Sequence, residues 1–117
     1  MQPIKGWEEN AVTKLRNSET DLLFEGILKL QTVEECYRFF TDVCTIKELQ
    51  AITQRLQVAK QLYEGRNYNG VCQDTGASSA TISRVNRCLN YGSGYRMALD
   101  NLKKAGILED DGSELEE

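Results

Sequence analysis

The side chains best suited to chemistry lie between residues 69 and 88, where Ser79, Ala80, Thr81, Ser83, Arg84 and Arg87 follow Gly76. They are not catalytic bases. Hydroxyls and guanidiniums of this kind donate and accept hydrogen bonds, and small residues among them let a backbone approach a partner closely. Val71 and Thr75 before the glycine, and Ile82, Val85 and Leu89 after it, fall at the three- and four-residue spacing of helices. This layout predicts two short helices joined by a turn, a helix-turn-helix.

The physical demands of such a motif account for the residue types. Two helices meeting steeply need a turn residue that tolerates positive φ and a small side chain where the backbones approach. Gly76 supplies the first and Cys72 the second. Ser78 or Ser79 can cap the second helix, leaving Ala80, Thr81, Ser83, Arg84 and Arg87 for its outer face. Small, hydrogen-bonding residues at the start of that helix suit the major groove of double-stranded DNA. The same motif also serves as a scaffold for contacts with other proteins, and the spacing leaves both readings open.

The elements that must position this motif are helical. The 117 residues make one domain with a single proline, Pro3, and few alternating β-branched runs, so the expected class is all-α. No stretch is long and apolar enough for a membrane span, and the first 20 residues are too polar for a secretory signal, which predicts a cytoplasmic protein. Residues 1–17 read as a flexible arm whose Trp7 can dock on a partner subunit. A helix follows from Ser18 or Thr20 to about Gln31, with Leu22, Leu23, Phe24, Ile27, Leu28 and Leu30 spread over more than one side. Thr32-Val-Glu-Glu has the capping-box form and opens a helix to about Val43.

Thr45-Ile-Lys-Glu repeats that form and opens the longest helix, about 46–64, which Gly65 is placed to end. Residues 66–69 connect it to the motif helices, 90–94 read as a loop, and a last helix spans about 95–105 before Gly106. Six helices with wide apolar faces on so short a chain predict burial between two chains as well as within one. A symmetric dimer would also set two recognition helices about one DNA turn apart, as a palindromic operator requires.

Charge distribution agrees with the motif once the chain is divided. The net charge is −4, but residues 109–117 carry six acids and no base, leaving +2 on the rest. Within 66–104 six bases stand against Asp74 and Asp100. Screening confines each charge to roughly 8–10 Å at physiological salt, so the local excess matters more than the total. The acidic segment 107–117 is expected to be disordered. Four separated cysteines, Cys36, Cys44, Cys72 and Cys88, read as reduced, buried thiols. With no histidine, no phosphate-binding glycine loop and no evident carboxylate pair, neither an enzyme nor a metal or cofactor site is expected.

The chain resembles the Trp repressor family, and within it the YerC/YecD-type branch, over roughly residues 18–104. The resemblance rests on Thr45-Ile-Lys-Glu-Leu, Gln54-Arg55-Leu56, Leu62-Tyr63-Glu64-Gly65 and Gly76-Ala-Ser-Ser-Ala-Thr-Ile-Ser-Arg84. It implies an all-helical, intertwined homodimer acting as a transcriptional repressor on a palindromic operator. Carried over residue by residue, the DNA face falls on Asn69 and Cys72 of the first motif helix and Ser79, Ala80 and Ser83 of the second, with Arg84 and Arg87 beside them. The family's basic residues at the first two positions are missing, and Arg66, Arg87 or Lys103 are the charges placed to compensate.

The resemblance also implies an effector pocket at Thr45, Arg55, Arg84, Val85 and Cys88. Thr45, Arg55 and Arg84 match the family, whereas Val85 replaces a glycine and Cys88 replaces a serine that receives the ligand's amino group. A valine in the indole slot argues against tryptophan. Three alternatives follow: Val85 fills the slot and the heads are permanently set, a small anionic effector uses the Arg55–Arg84 pair, or each arginine pairs with an acid, Arg84 also being able to touch phosphate.

Overall fold

A computed structural model describes residues 6–109, which contain seven α-helices and no strand. They run as α1 (Gly6–Leu15), α2 (Ser18–Leu28), α3 (Val33–Val43), α4 (Ile46–Tyr63), α5 (Tyr68–Thr75), α6 (Ser79–Tyr91) and α7 (Gly94–Lys104). The described residues divide into two compact units, 6–53 and 54–109, with α4 contributing to both.

The unit 6–53 departs from the sequence reading at its start, for six helices were expected and α1 is a seventh. Glu8 and Glu9 in its first turn and Lys14 in its last are placed to favour the helix dipole. Residues 1–5 of the expected arm lie outside the described residues. Helix α2 is capped by Asn17, whose Oδ1 accepts the Thr20 N–H at 2.8 Å. It stops at Leu28, short of the expected end near Gln31, because the next residues serve α3. The Gln31 N–H donates to Glu35 Oε1 at 2.8 Å and the Thr32 hydroxyl accepts the Glu35 N–H at 3.0 Å. The box opening α4 is complete: Thr45 N–H to Glu48 Oε1, 2.8 Å, and Glu48 N–H to Thr45 Oγ1, 3.1 Å.

None of α1, α2 or α3 contains a buried residue. Leu22, Leu28, Val33 and Ile46 are 74–75% exposed, and Phe24, Tyr37 and Val43 are more than half exposed. Cys36 shares this exposure, and Cys72 is exposed on α5, while Cys44 and Cys88 are half-buried. The expectation of four buried thiols is therefore corrected; all four are free, but α3 has nothing covering Cys36 and Cys72 occupies an outward position of α5.

The unit 54–109 is built differently. Val58, Ala59, Val71, Ala77, Ile82, Val85, Leu89 and Leu99 are all at most 3% exposed and form one core cluster. Leu56, Leu62, Tyr63, Tyr95, Leu102 and Leu108 pack against it. Two glycine caps end its helices as the sequence reading expects. At Gly65 (φ 92°) the Arg66 N–H reaches Gln61 O and the Gly65 N–H reaches Leu62 O, each at 3.0 Å. At Gly106 (φ 78°) the Ile107 and Gly106 N–H groups repeat that pattern on Leu102 and Lys103. Helices α4 and α7 are tied by the Tyr63 hydroxyl donating to Asp100 Oδ1 at 2.6 Å, with the Arg96 guanidinium 5.7 Å from the Tyr63 ring centre. Of the acidic segment, residues 110–117 lie outside the described residues.

Candidate nucleic-acid interface

Helix α5 begins at Tyr68, two residues before the connector was expected to give way to it, because Asn67 caps it through Oδ1 and the Gly70 N–H at 2.8 Å. It closes on Gly76, whose φ of 72° is the left-handed conformation the turn needs and whose N–H bonds Cys72 O at 2.9 Å. Several polar groups of the turn are satisfied locally. The Thr75 hydroxyl donates to Val71 O at 2.7 Å and accepts the Ala77 N–H at 3.2 Å. Gln54 of α4 donates from Nε2 to Thr75 O at 3.1 Å, fastening the turn to the long helix. Of the two serines able to cap α6, Ser78 does so: its Oγ accepts the Thr81 N–H and donates to Thr81 Oγ1, both at 3.1 Å.

Helix α6 has two opposed faces. Ile82, Val85 and Leu89 are 1–3% exposed and weld it to the core. Ser79, Ala80, Ser83, Arg84 and Arg87 are exposed and, at 100° per residue, occupy an arc of about 140° away from that side. On α5, Asn69 and Cys72 are exposed while Val71 between them is fully buried. All seven residues expected at a DNA face thus present their side chains to solvent.

The electrostatics are less favourable than the count of bases suggests. Arg66 spans α5 to reach Asp74, Nη1 to Oδ2, 2.7 Å. Its charge is matched on the surface, which lowers the net positive charge beside α5. Lys60 is likewise paired with Glu64 at 3.0 Å. Neither Arg84 nor Arg87 takes part in these pairs.

The expected effector residues are only partly brought together. Val85 is 1% exposed, Arg55 and Cys88 are half-buried and Arg84 is exposed. Thr45 belongs to the unit 6–53, where its hydroxyl caps α4. A carboxylate partner for Arg55, one of the alternatives left open by the sequence, is not found among the described residues; Arg55 instead lies near enough to Tyr95 of α7 to act on its phenol. Burial raises the Tyr95 pKa above 10.0, while Arg55 and Arg84 oppose that rise and Cys88 adds to it. The sequence reading placed position 95 only at the start of the last helix. Its position depends on α6 running on to Tyr91, two residues past the expected end, so that only Gly92 and Ser93, both buried, separate α6 from α7.

Comparison with known proteins decides the family. The family model for the Trp repressor protein matches residues 18–103. The chain belongs to the Trp repressor family. It is 57% identical over 94 residues to the uncharacterized protein YerC of Bacillus subtilis, covering 80% of this chain and 90% of that protein. A Staphylococcus aureus protein proposed to be a Trp repressor, solved by crystallography, superposes with a TM-score of 0.76 at 46% identity, covering 85% of this chain and 97% of that one. A TrpR-like protein from Eubacterium eligens gives a TM-score of 0.75 at 47% identity, over 84% and 99% of the two chains. As a Trp repressor family member the protein falls among DNA-binding transcription regulators. No helix among its described residues is long and apolar enough to cross a membrane.

Proposed function

We propose that this protein is a dimeric, sequence-specific transcriptional regulator, a repressor, that binds a palindromic operator in the cytoplasm through α5 and α6 without tryptophan. The observation that carries this reading is the division of α6. One face is fixed by Ile82, Val85 and Leu89, and the other offers Ser79, Ala80, Ser83, Arg84 and Arg87 to solvent. Base edges are read by hydrogen-bonding and small apolar side chains, while arginines at the margin engage phosphate and set register. Occupancy of the operator then excludes polymerase, and no bond is made or broken.

The dimer is supported by the unit 6–53, where Leu22, Phe24, Leu28, Val33, Tyr37, Val43 and Ile46 are each more than half exposed. Faces of that extent are covered by partners in stable proteins. Independence from tryptophan is supported by the buried Val85 side chain. One observation favours a second reading, a scaffold for contacts with the transcription machinery: Arg66 is neutralised by Asp74, and Asn69 and Cys72 add no charge.

Selection of bound sequences from random duplex DNA tests these readings, followed by retention at two salt concentrations with and without tryptophan. The proposal expects an enriched palindrome, bound without tryptophan and weakened by salt through counterion release. No enrichment, with only weak salt-sensitive retention, would refute it in favour of the scaffold.

A further inference from the structure

We propose that Asp74 is an internal competitor for DNA phosphate: its carboxylate holds the Arg66 guanidinium against the bare backbone of α5 at Gly70, and so limits the sequence-independent part of DNA affinity. The inference rests on the preceding reading, since it concerns which charges of α5 are available to DNA. Arg66 leaves α4 with its backbone fixed, for its N–H bonds Gln61 O at 3.0 Å in the cap at Gly65. Its side chain runs along α5 and ends at Asp74, Nη1 to Oδ2, 2.7 Å, in the last turn of that helix. Between the two lies Gly70, one position after Asn69 and so about 100° round the helix from it.

Gly70 makes this surface pair a seat. It lies inside α5, the third residue of eight, where glycine is the poorest helix former after proline. Among the described residues the positive-φ glycines are 65, 76 and 106, so no turn asks for a glycine at 70. An added Cβ there would come within 2.7 Å of Arg66 Nη2, 3.3 Å of Nε and 3.4 Å of Cζ. The guanidinium therefore lies in the space that a side chain at 70 would fill. Asp74 gains from the arrangement as well, because a carboxylate in the last turn of a helix opposes the dipole unless a cation faces it. The two side chains are 43% and 47% exposed, so the pair is weak enough to exchange partners. A phosphate that takes Arg66 must leave Asp74 unpaired beside the DNA backbone, and that repulsion withholds one counterion-releasing contact from every duplex, whatever its sequence.

The test uses full-length protein and a random-sequence duplex, with affinity measured across a range of salt concentrations. Asp74→Asn keeps the shape of the side chain and removes its charge. It should bind about three- to tenfold more tightly, with a steeper salt dependence, as Arg66 takes a phosphate and releases its counterion. Gly70→Ala should act in the same direction but less, by pushing the guanidinium from its seat, while raising the melting temperature as alanine replaces glycine inside a helix. In an Arg66→Gln background, Asp74→Asn should bring a clearly smaller gain, because no guanidinium is freed. Unchanged binding in Asp74→Asn, an equal gain with and without Arg66, or a Gly70→Ala protein that binds no more tightly than wild type would overturn the proposal.

Because the probe is a random-sequence duplex, the measurement needs no operator. A wild type that enriches no sequence refutes the functional reading, whereas the comparison of Asp74→Asn with wild type still decides the role of Asp74. If neither protein is retained by duplex DNA even at low salt, both readings fall.

Discussion

Truncating Leu22 and Leu28 together to alanine separates a dimer from a monomer by magnitude. Each side chain is about three-quarters exposed in the single chain, 74% and 75%. Were the protein a monomer, these would be surface substitutions, with stability changes within about 0.5 kcal/mol. In a two-fold dimer that covers them, each leucine contributes most of the roughly 1.5–3 kcal/mol available from burying such a side chain. Alanine retains part of that, leaving about 1–2 kcal/mol lost per site. Symmetry presents every substitution twice, so four truncations remove about 4–8 kcal/mol, or about three to six decades in dissociation constant. Sedimentation velocity over a wide concentration series reads this directly, with circular dichroism to check helix content. A wild type that sediments as a monomer throughout, or a double variant that dissociates where the wild type does, would refute the reasoning.

Gly76→Ala tests the turn: its φ is 72° and an added Cβ meets nothing within 4 Å, so the cost is conformational alone. The left-handed penalty of about 1–2 kcal/mol, less the stiffening of the unfolded chain, leaves a loss near 1 kcal/mol in chemical denaturation, and Gly76→Asn should cost less. Ser78→Ala removes the α6 cap and should cost about 1 kcal/mol. Ser79→Ala should leave stability nearly unchanged while weakening duplex retention in a gel shift. Stability should fall as pH rises above about 10, because Tyr63, held neutral by its bond to Asp100, and Tyr95, held neutral by burial, have folded pKa values above 10.0. The unfolded chain then releases protons first, so the contribution is complete below pH 10 and disappears as pH climbs through the folded values; thermal melts of Tyr63→Phe and Tyr95→Phe should be flatter. Asp74→Asn releases Arg66 and should raise duplex affinity, steepening the log–log salt slope by about one if Arg66 then takes a phosphate.

What could be read from the sequence was whatever is local. Thr32 with Glu35, Thr45 with Glu48, and the glycines at 65, 76 and 106 announce helix boundaries through residues at most a few positions apart. The outward strip of α6 was legible for the same reason, since Ile82, Val85 and Leu89 dictate which side faces the core. Contacts between distant elements were not. Charge counting sees Arg66 as a base in a positive region, but its pairing across α5 with Asp74 appears only when the helix is built. Tyr95 carries the same periodic signal as any core aromatic, and nothing local indicates that burial and Arg55, forty residues earlier, act on its phenol in opposite directions. Helix α1 escaped because its polar composition and uncovered face give no inward periodicity; the dipole-compatible charges were the available cue.

The unequal burial of the two units carries a consequence for control. Residues 54–109 enclose eight side chains at 3% exposure or less, whereas α1 to α3 enclose none. Helix α6 therefore has its own core, while in the proposed dimer the apolar faces of α1 to α3 would be covered by a second chain. If the buried Val85 leaves α6 permanently set, as the proposed independence from tryptophan implies, an added effector has little left to change there, and the remaining variable is protomer concentration. Two linked heads see the second half-site at an effective concentration that a free head never reaches, so a chain below its dimer dissociation constant loses operator affinity far out of proportion to its dilution. Operator binding should accordingly rise with about the square of protein concentration in that range and only linearly above it, a dependence that a ligand-gated head would not produce on its own.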